Sequence, residues 1–142
     1  MDLFRALDIS ASGLTAQRTR MDVIAENLAN SDTAVTATGG PYRRKAVVLQ
    51  SADAPGFAAM LGDGAPEGGV RVTRIAESTE PMRRVHDPAN PSAGPDGFVT
   101  LPNVNPLVEM VDMLATTRAY EANATAFQAA KSLGTKLLDL LR

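Results

Sequence analysis

The chain has 142 residues, enough for one medium domain or for a stem with a small appended module; 4% aromatic content and no tryptophan leave few large core anchors. A net charge of −2 gives no electrostatic case for binding nucleic acid or an anionic membrane. Without cysteine there are no disulfides, thiolate metal sites or cysteine nucleophiles.

The first predicted element is a helix from about residue 3 to Asn30. Leu7, Leu14, Met21 and Leu28 form a seven-residue repeat, with Leu3 and Ile24 completing the stripe. Gly13 inside it costs about 1 kcal/mol relative to alanine, so the helix either bends there or admits another backbone close by. Arg18 and Asp22, four apart, are placed to pair weakly on the polar face. The run Asn30-Ser31-Asp32-Thr33 favours caps and turns over continued helix. Asp2, Arg5 and Asp8 interrupt any signal-peptide core, and no apolar run is long enough to span a bilayer. By composition alone, the cytoplasm is the default location.

All but two of the glycines and all but one of the prolines fall within residues 31–103, so the middle reads as short strands and loops. Strands are predicted over 42–49, 70–75 and 98–101, the last led in by Gly94-Pro95-Asp96-Gly97. Three such strands make a small antiparallel sheet that needs packing from elsewhere. Residues 52–69, rich in Gly, Ala, Pro and Asp, read as a loop. Asn105 then offers an N-cap and Pro106 suits the first helical position. No proline follows, so the last helix runs for up to about 36 residues, roughly 55 Å. Its repeat is Met113, Tyr120, Phe127, Gly134 and Leu141, set among many alanines that permit close helix approach but bury little area. The fold class is therefore mainly α with a small β part: terminal helices paired as a coiled-coil stem over residues 1–33 and 103–142, and a β/loop segment over 34–102.

Catalytic signals are thin. His86 beside Asp87 is the one arrangement resembling an oriented base, and a surface-loop histidine is the better reading, with no second histidine at ligand spacing. The glycine pairs lack the strand–loop–helix setting and lysine of a phosphate loop. Arg43-Arg44-Lys45 reads as a solvated strand end rather than a phosphate site. No cofactor or metal is expected.

Particular residues carry a resemblance. Ser12-Gly13-Leu14-Thr15-Ala16-Gln17, Met21-Asp22-Val23 and the run Asn27 to Thr33, ending in Ala29-Asn30-Ser31-Asp32-Thr33, resemble the N-terminal signature of bacterial flagellar rod and hook proteins. Tyr42-Arg43-Arg44-Lys45 resembles the aromatic-basic strand start that follows it. Pro102-Asn103-Val104-Asn105, the run Glu109 to Met113 and the run Arg118 to Asn123 resemble the C-terminal motif of the C-type proximal rod branch. The opening Leu3–Gly13, Asp87-Pro88 and Pro91 do so too.

The resemblance implies a structural subunit of the flagellar rod, not an enzyme. In that family the terminal helices pair and pack with those of neighbours into a helical tube that transmits torque across the periplasm. Subunits leave through the flagellar type III export apparatus without a cleaved signal, and the terminal helices order on assembly. Partners would be other copies and other rod proteins, proximal and distal, with no nucleic acid and no membrane insertion. The assembly interface is expected at Leu7, Gly13, Leu14, Met21, Leu28, Met113, Tyr120 and Phe127. Asn30, Thr33, Tyr42, Asn103, Asn105 and Asn123 are the matching motif positions. The competing reading is a soluble helical-hairpin adaptor or export chaperone.

Overall fold

The computed structural model describes residues 3–52 and 68–140. The elements are α1 (Leu3–Ala29), β1 (Lys45–Ser51), β2 (Val70–Glu77), β3 (Arg83–His86), β4 (Phe98–Leu101) and α2 (Pro106–Leu140). Most of the loop expected over 52–69, and Leu141 of the last repeat, lie outside the described residues.

The side chains at its C-terminal end close α1. Asn30 Nδ2 donates to the Glu26 carbonyl at 2.9 Å, capping a last-turn acceptor, and the Thr33 hydroxyl donates to Asn30 Oδ1 at 3.2 Å. Farther on, Gly39 and Gly40 both adopt positive φ and reverse the chain, a geometry that costs glycine nothing. At the other helix, Asn105 Oδ1 accepts the Leu107 N–H at 3.1 Å, so the expected N-cap is in place.

The helices run antiparallel without slip. Reading α1 forward from Leu3 through Gly13 and Met21 to Asn27 meets Gly134, Asn123, Thr117 and Glu109 in reverse order on α2. The β1–β2 ribbon lies along α1, from Asn27, which accepts the Lys45 N–H, to Ser12, which accepts the Val70 N–H at 3.1 Å. Its register pairs Lys45 with Glu77 and Ser51 with Val70, with a bulge between Val48 and Leu49. Thus, among the described elements, α1 is flanked by both α2 and the ribbon, whereas α2 packs on α1.

The middle departs from the expected single sheet. Among the described residues it forms two separate two-stranded ribbons, β1–β2 and β3–β4. The extra strand, β3, reads Arg-Arg-Val-His and is exposed throughout. It has no apolar alternation to announce it, and pairing to β4 makes it a strand. The first strand begins at Lys45 rather than at residue 42 because Tyr42 and Arg44 spend their backbone N–H groups elsewhere, on the Thr33 carbonyl and Asn103 Oδ1.

The core is small and sits at the end of the stem where α1 stops and α2 starts. Its buried apolar members include Ala16, Val23, Ile24, Tyr42, Val99, Pro102 and Val104, joined by the polar Asn27, Glu109 and Thr116. No helix among the described residues is long and apolar enough to cross a membrane.

Candidate assembly site: a polar hub and a helical seam

Four side chains from three segments meet at the head of the stem. Glu109, in the first turn of α2, is wholly buried. An isolated carboxylate there would cost several kcal/mol, so its partners decide whether the fold tolerates it. Arg44 Nε donates to Glu109 Oε1 at 2.6 Å and Asn27 Nδ2 donates to Oε2 at 3.1 Å. The α2 N-terminus adds favourable partial charge. Arg44, itself partly exposed, also reaches Asp112 at 3.5 Å.

Asn27 is the junction of this hub. Its Nδ2 donates to the Lys45 carbonyl at 2.8 Å as well as to Glu109, and its Oδ1 accepts from the Tyr42 hydroxyl at 2.9 Å and the Lys45 N–H at 2.8 Å. One amide thus ties α1, the start of β1 and α2, and uses all its hydrogen-bonding capacity. Burial pushes the Tyr42 phenol up to about 12, aided by the carboxylates of Glu26, Glu109 and Glu77. The phenol is accordingly a neutral donor at physiological pH. Nearby, Lys45 Nζ pairs with Glu26 at 2.6 Å and lies 5.6 Å from the Tyr42 ring centre.

The six motif residues singled out in the sequence all have structural roles. Asn30 and Thr33 turn the chain out of α1, and Tyr42 enters the hub. Asn103 accepts the Arg44 N–H and donates to the Glu80 carbonyl at 3.1 Å, holding the approach to α2 against the ribbons. Asn105 caps α2, and Asn123 packs on Gly13.

That last contact resolves the Gly13 question differently from expectation. The helix runs on unbroken through Gly13, and what lies against the glycine is a side chain, that of Asn123. A methyl on Gly13 would sit 3.0 Å from Asn123 Nδ2. Gly13→Leu is therefore expected to prise the seam apart and lower thermal stability by about 2 kcal/mol, partly recovered by adding Asn123→Ala. Unchanged melting of Gly13→Leu would contradict this packing.

The eight predicted interface positions, Leu7, Gly13, Leu14, Met21, Leu28, Met113, Tyr120 and Phe127, are all half-buried. Gly13 and Met21 meet α2, the latter receiving the Thr117 hydroxyl on its sulfur at 3.8 Å. The fully buried positions of α1 are Ala16, Val23, Ile24 and Asn27, on a helix that both α2 and the ribbon cover. Among the described residues, the expected Arg18–Asp22 ion pair does not form. The basic triplet also needs correction: Arg43 is exposed, but Arg44 and Lys45 are engaged by Glu109 and Glu26. His86 lies on a strand rather than a loop, exposed, with its ring edge-on to Phe98 at 5.0 Å.

Asn27 and Glu109 lie within the motifs without a role evident from sequence, and Arg44 reads there only as part of a solvated strand end. The available signal was a charged residue flanked by Val108 and Met110 at a helix start, together with an Asn in register with the apolar stripe. Neither reveals partners 65 and 82 residues away.

Comparison with known proteins agrees with the motifs. Residues 7–34 match the family described as flagella basal body rod protein, and residues 96–140 match the flagellar basal body rod FlgEFG protein C-terminal family. The chain is 46% identical over 149 residues to the flagellar basal-body rod protein FlgC of Bacillus subtilis, covering 99% of each. It is 40% identical to FlgC of Borreliella burgdorferi, covering 100% of this chain and 99% of that protein. With FlgC of Escherichia coli O6:H1 it shares 41% identity, over 99% of this chain and 98% of that one. With both terminal families matched and the full length shared with these relatives, the chain belongs to the FlgC family of flagellar basal-body rod proteins.

Proposed function

We propose that this protein is a rod subunit of the proximal type whose two terminal helices build a helical tube with those of neighbouring subunits, and that the tube transmits torque. The observation that carries this reading is the poverty of α2's own packing. Over 35 residues its only buried side chains are Glu109 and Thr116, both polar. A helix of that length without a buried apolar residue gains little from its own chain and is stabilised by neighbours.

In this reading residues 1–33 and 103–142 form the stem and residues 34–102 the outer part. Leu7, Leu14, Met21 and Leu28 use their buried half on α2 and their exposed half on a neighbouring subunit. Met113, Tyr120 and Phe127 lie across the seam, and Gly13 allows close approach. Like-shaped subunits joined by heterologous, non-closing contacts generate a tube. The partners are other copies and other proximal and distal rod subunits. The protein leaves the cytoplasm through the flagellar export apparatus without a cleaved signal and works in the periplasm-spanning rod. Its role is mechanical, with no catalytic step.

Leu14→Asp tests the scheme, because it places a charge at a half-buried position of the α1 apolar stripe. The expected outcome is normal expression with loss of motility and of rod incorporation. Full swimming by cells carrying only that variant would overturn it.

A further inference from the structure

The β1–β2 ribbon is fastened to α1 at both of its ends. At the hub end, Asn27 holds Lys45 through its N–H and its carbonyl, both at 2.8 Å. At the other end the chain returns through Gly68-Gly69, a glycine pair that fits no phosphate loop, and lies directly on α1. A Cβ on Gly69 would sit 2.6 Å from Ser12 Oγ, and one on Gly68 would sit 3.1 Å from Ile9 Cδ1. Gly69 also adopts a φ of +137°, which glycine takes without strain. A side chain at 69 would have to push the ribbon off the helix. The Ser12 hydroxyl donates to the Ile9 carbonyl at 2.7 Å, which fixes its direction, and its oxygen accepts the Val70 N–H at 3.1 Å. The Ala52 N–H donates to the Gly69 carbonyl at 2.9 Å, so the two strands are joined at that same level.

Ser12 and Gly13 serve different neighbours. Successive helix positions point about 100° apart, and Ser12 meets the ribbon whereas Gly13 meets Asn123 of α2. Ser12 and Asn27 lie roughly 22 Å apart along the helix. A ribbon held at one point swings about it; held at two points this far apart, it keeps one direction on the stem. Resting on the rod reading above, we propose that Ser12, with the Gly68-Gly69 pair seated against it, is a positioning residue. It holds the far end of the ribbon on α1 and so sets where the outer part of the subunit stands relative to the stem. Removing the hydroxyl strands the Val70 N–H and should raise the detached population of that end about tenfold.

The chain has no cysteine, so two introduced ones carry spin labels at chosen places. Ala25→Cys on α1 and Ser51→Cys at the Ser12 end of the ribbon are both at exposed positions. The distance distribution between the labels, measured on the purified full chain, is expected to be narrow. Ser12→Thr, which keeps the hydroxyl, should leave it narrow. Ser12→Ala and Gly69→Val should broaden it while helix content by circular dichroism stays unchanged, because the hub is untouched. In cells lacking the native gene, the two broadened chains should enter basal bodies several-fold less well than the Ser12→Thr chain. An unchanged narrow distribution in Ser12→Ala, a substitution that any helix interior tolerates, would overturn the positioning role, as would a broad one in the unsubstituted chain. Normal incorporation of the broadened chains would overturn the need for a fixed outer part while leaving the rod reading intact. Absence of the unsubstituted chain from basal bodies would instead overturn the rod reading, with the label distances still deciding the role of Ser12.

Discussion

Glu109→Ala is expected to lower the stability of the monomer by about 3 kcal/mol, the lower end of the range for breaking a buried ion pair. The carboxylate is completely buried and accepts from Arg44 and Asn27, so its removal leaves a cavity, a partly buried guanidinium and one amide hydrogen without an acceptor. The value stays at the low end because Arg44 keeps some contact with water and with Asp112. Arg44→Met should be at least as damaging, since it strands the carboxylate itself. The double variant Glu109→Leu with Arg44→Met should recover much of the loss, because an apolar pair of similar volume replaces both charges. Urea denaturation followed by circular dichroism measures all three. A Glu109→Ala loss below about 0.5 kcal/mol would show that the hub does not hold the stem to the ribbon, against the scale set for buried pairs.

Asn27→Asp is the second large effect, and it changes almost no volume. It exchanges the Nδ2 donor for a carboxylate oxygen facing two acceptors, Glu109 Oε2 at 3.1 Å and the Lys45 carbonyl at 2.8 Å. Two hydrogen bonds become repulsions, and a second negative charge enters a site that holds one cation. The expected cost at neutral pH is about 4 kcal/mol, comparable to an uncompensated buried charge. Burial and the Glu109 charge raise the folded-state pKa of the introduced carboxyl above its unfolded value. A raised folded pKa means the neutral form is favoured by folding. The relative stability is thus fully present below the unfolded pKa, near 4 for a free aspartate, and is lost as pH rises through the folded one. The gap between variant and wild type should therefore narrow as the pH is lowered from 7 toward 4. A pH-independent gap would mean the introduced group escapes to solvent.

How legible this was in the sequence depended on range. The two terminal helices were legible because their signals are local: the periodic apolar stripe of α1, the Asn105-Pro106 start of α2 and the breaker-rich middle between them correspond to the observed elements. That Ala16, Val23 and Ile24 rather than the leucines are the fully buried apolar positions of α1 was not legible, since a heptad marks an apolar face but not how many neighbours cover it. The strand at Arg83–His86 was invisible because none of its side chains is buried. The hub was invisible for another reason. A buried glutamate looks like any helix-start glutamate until Arg44 and Asn27 are brought to it across most of the chain. The motif residues Asn30, Thr33, Asn103 and Asn105 were found by resemblance, and their hydrogen bonds now give physical reasons for the residue types: capping a carbonyl, turning a chain, bridging two backbones and capping a helix.

The most direct test of the central claim, that the terminal helices are completed by neighbouring subunits, is hydrogen exchange on the purified monomer compared with isolated basal bodies. The account predicts that the protein is present in basal bodies and that amides along both terminal helices exchange far more slowly there than in the monomer. The same stable protection of both helices in the monomer, with no protein in basal bodies, would contradict it and favour a self-sufficient helical hairpin.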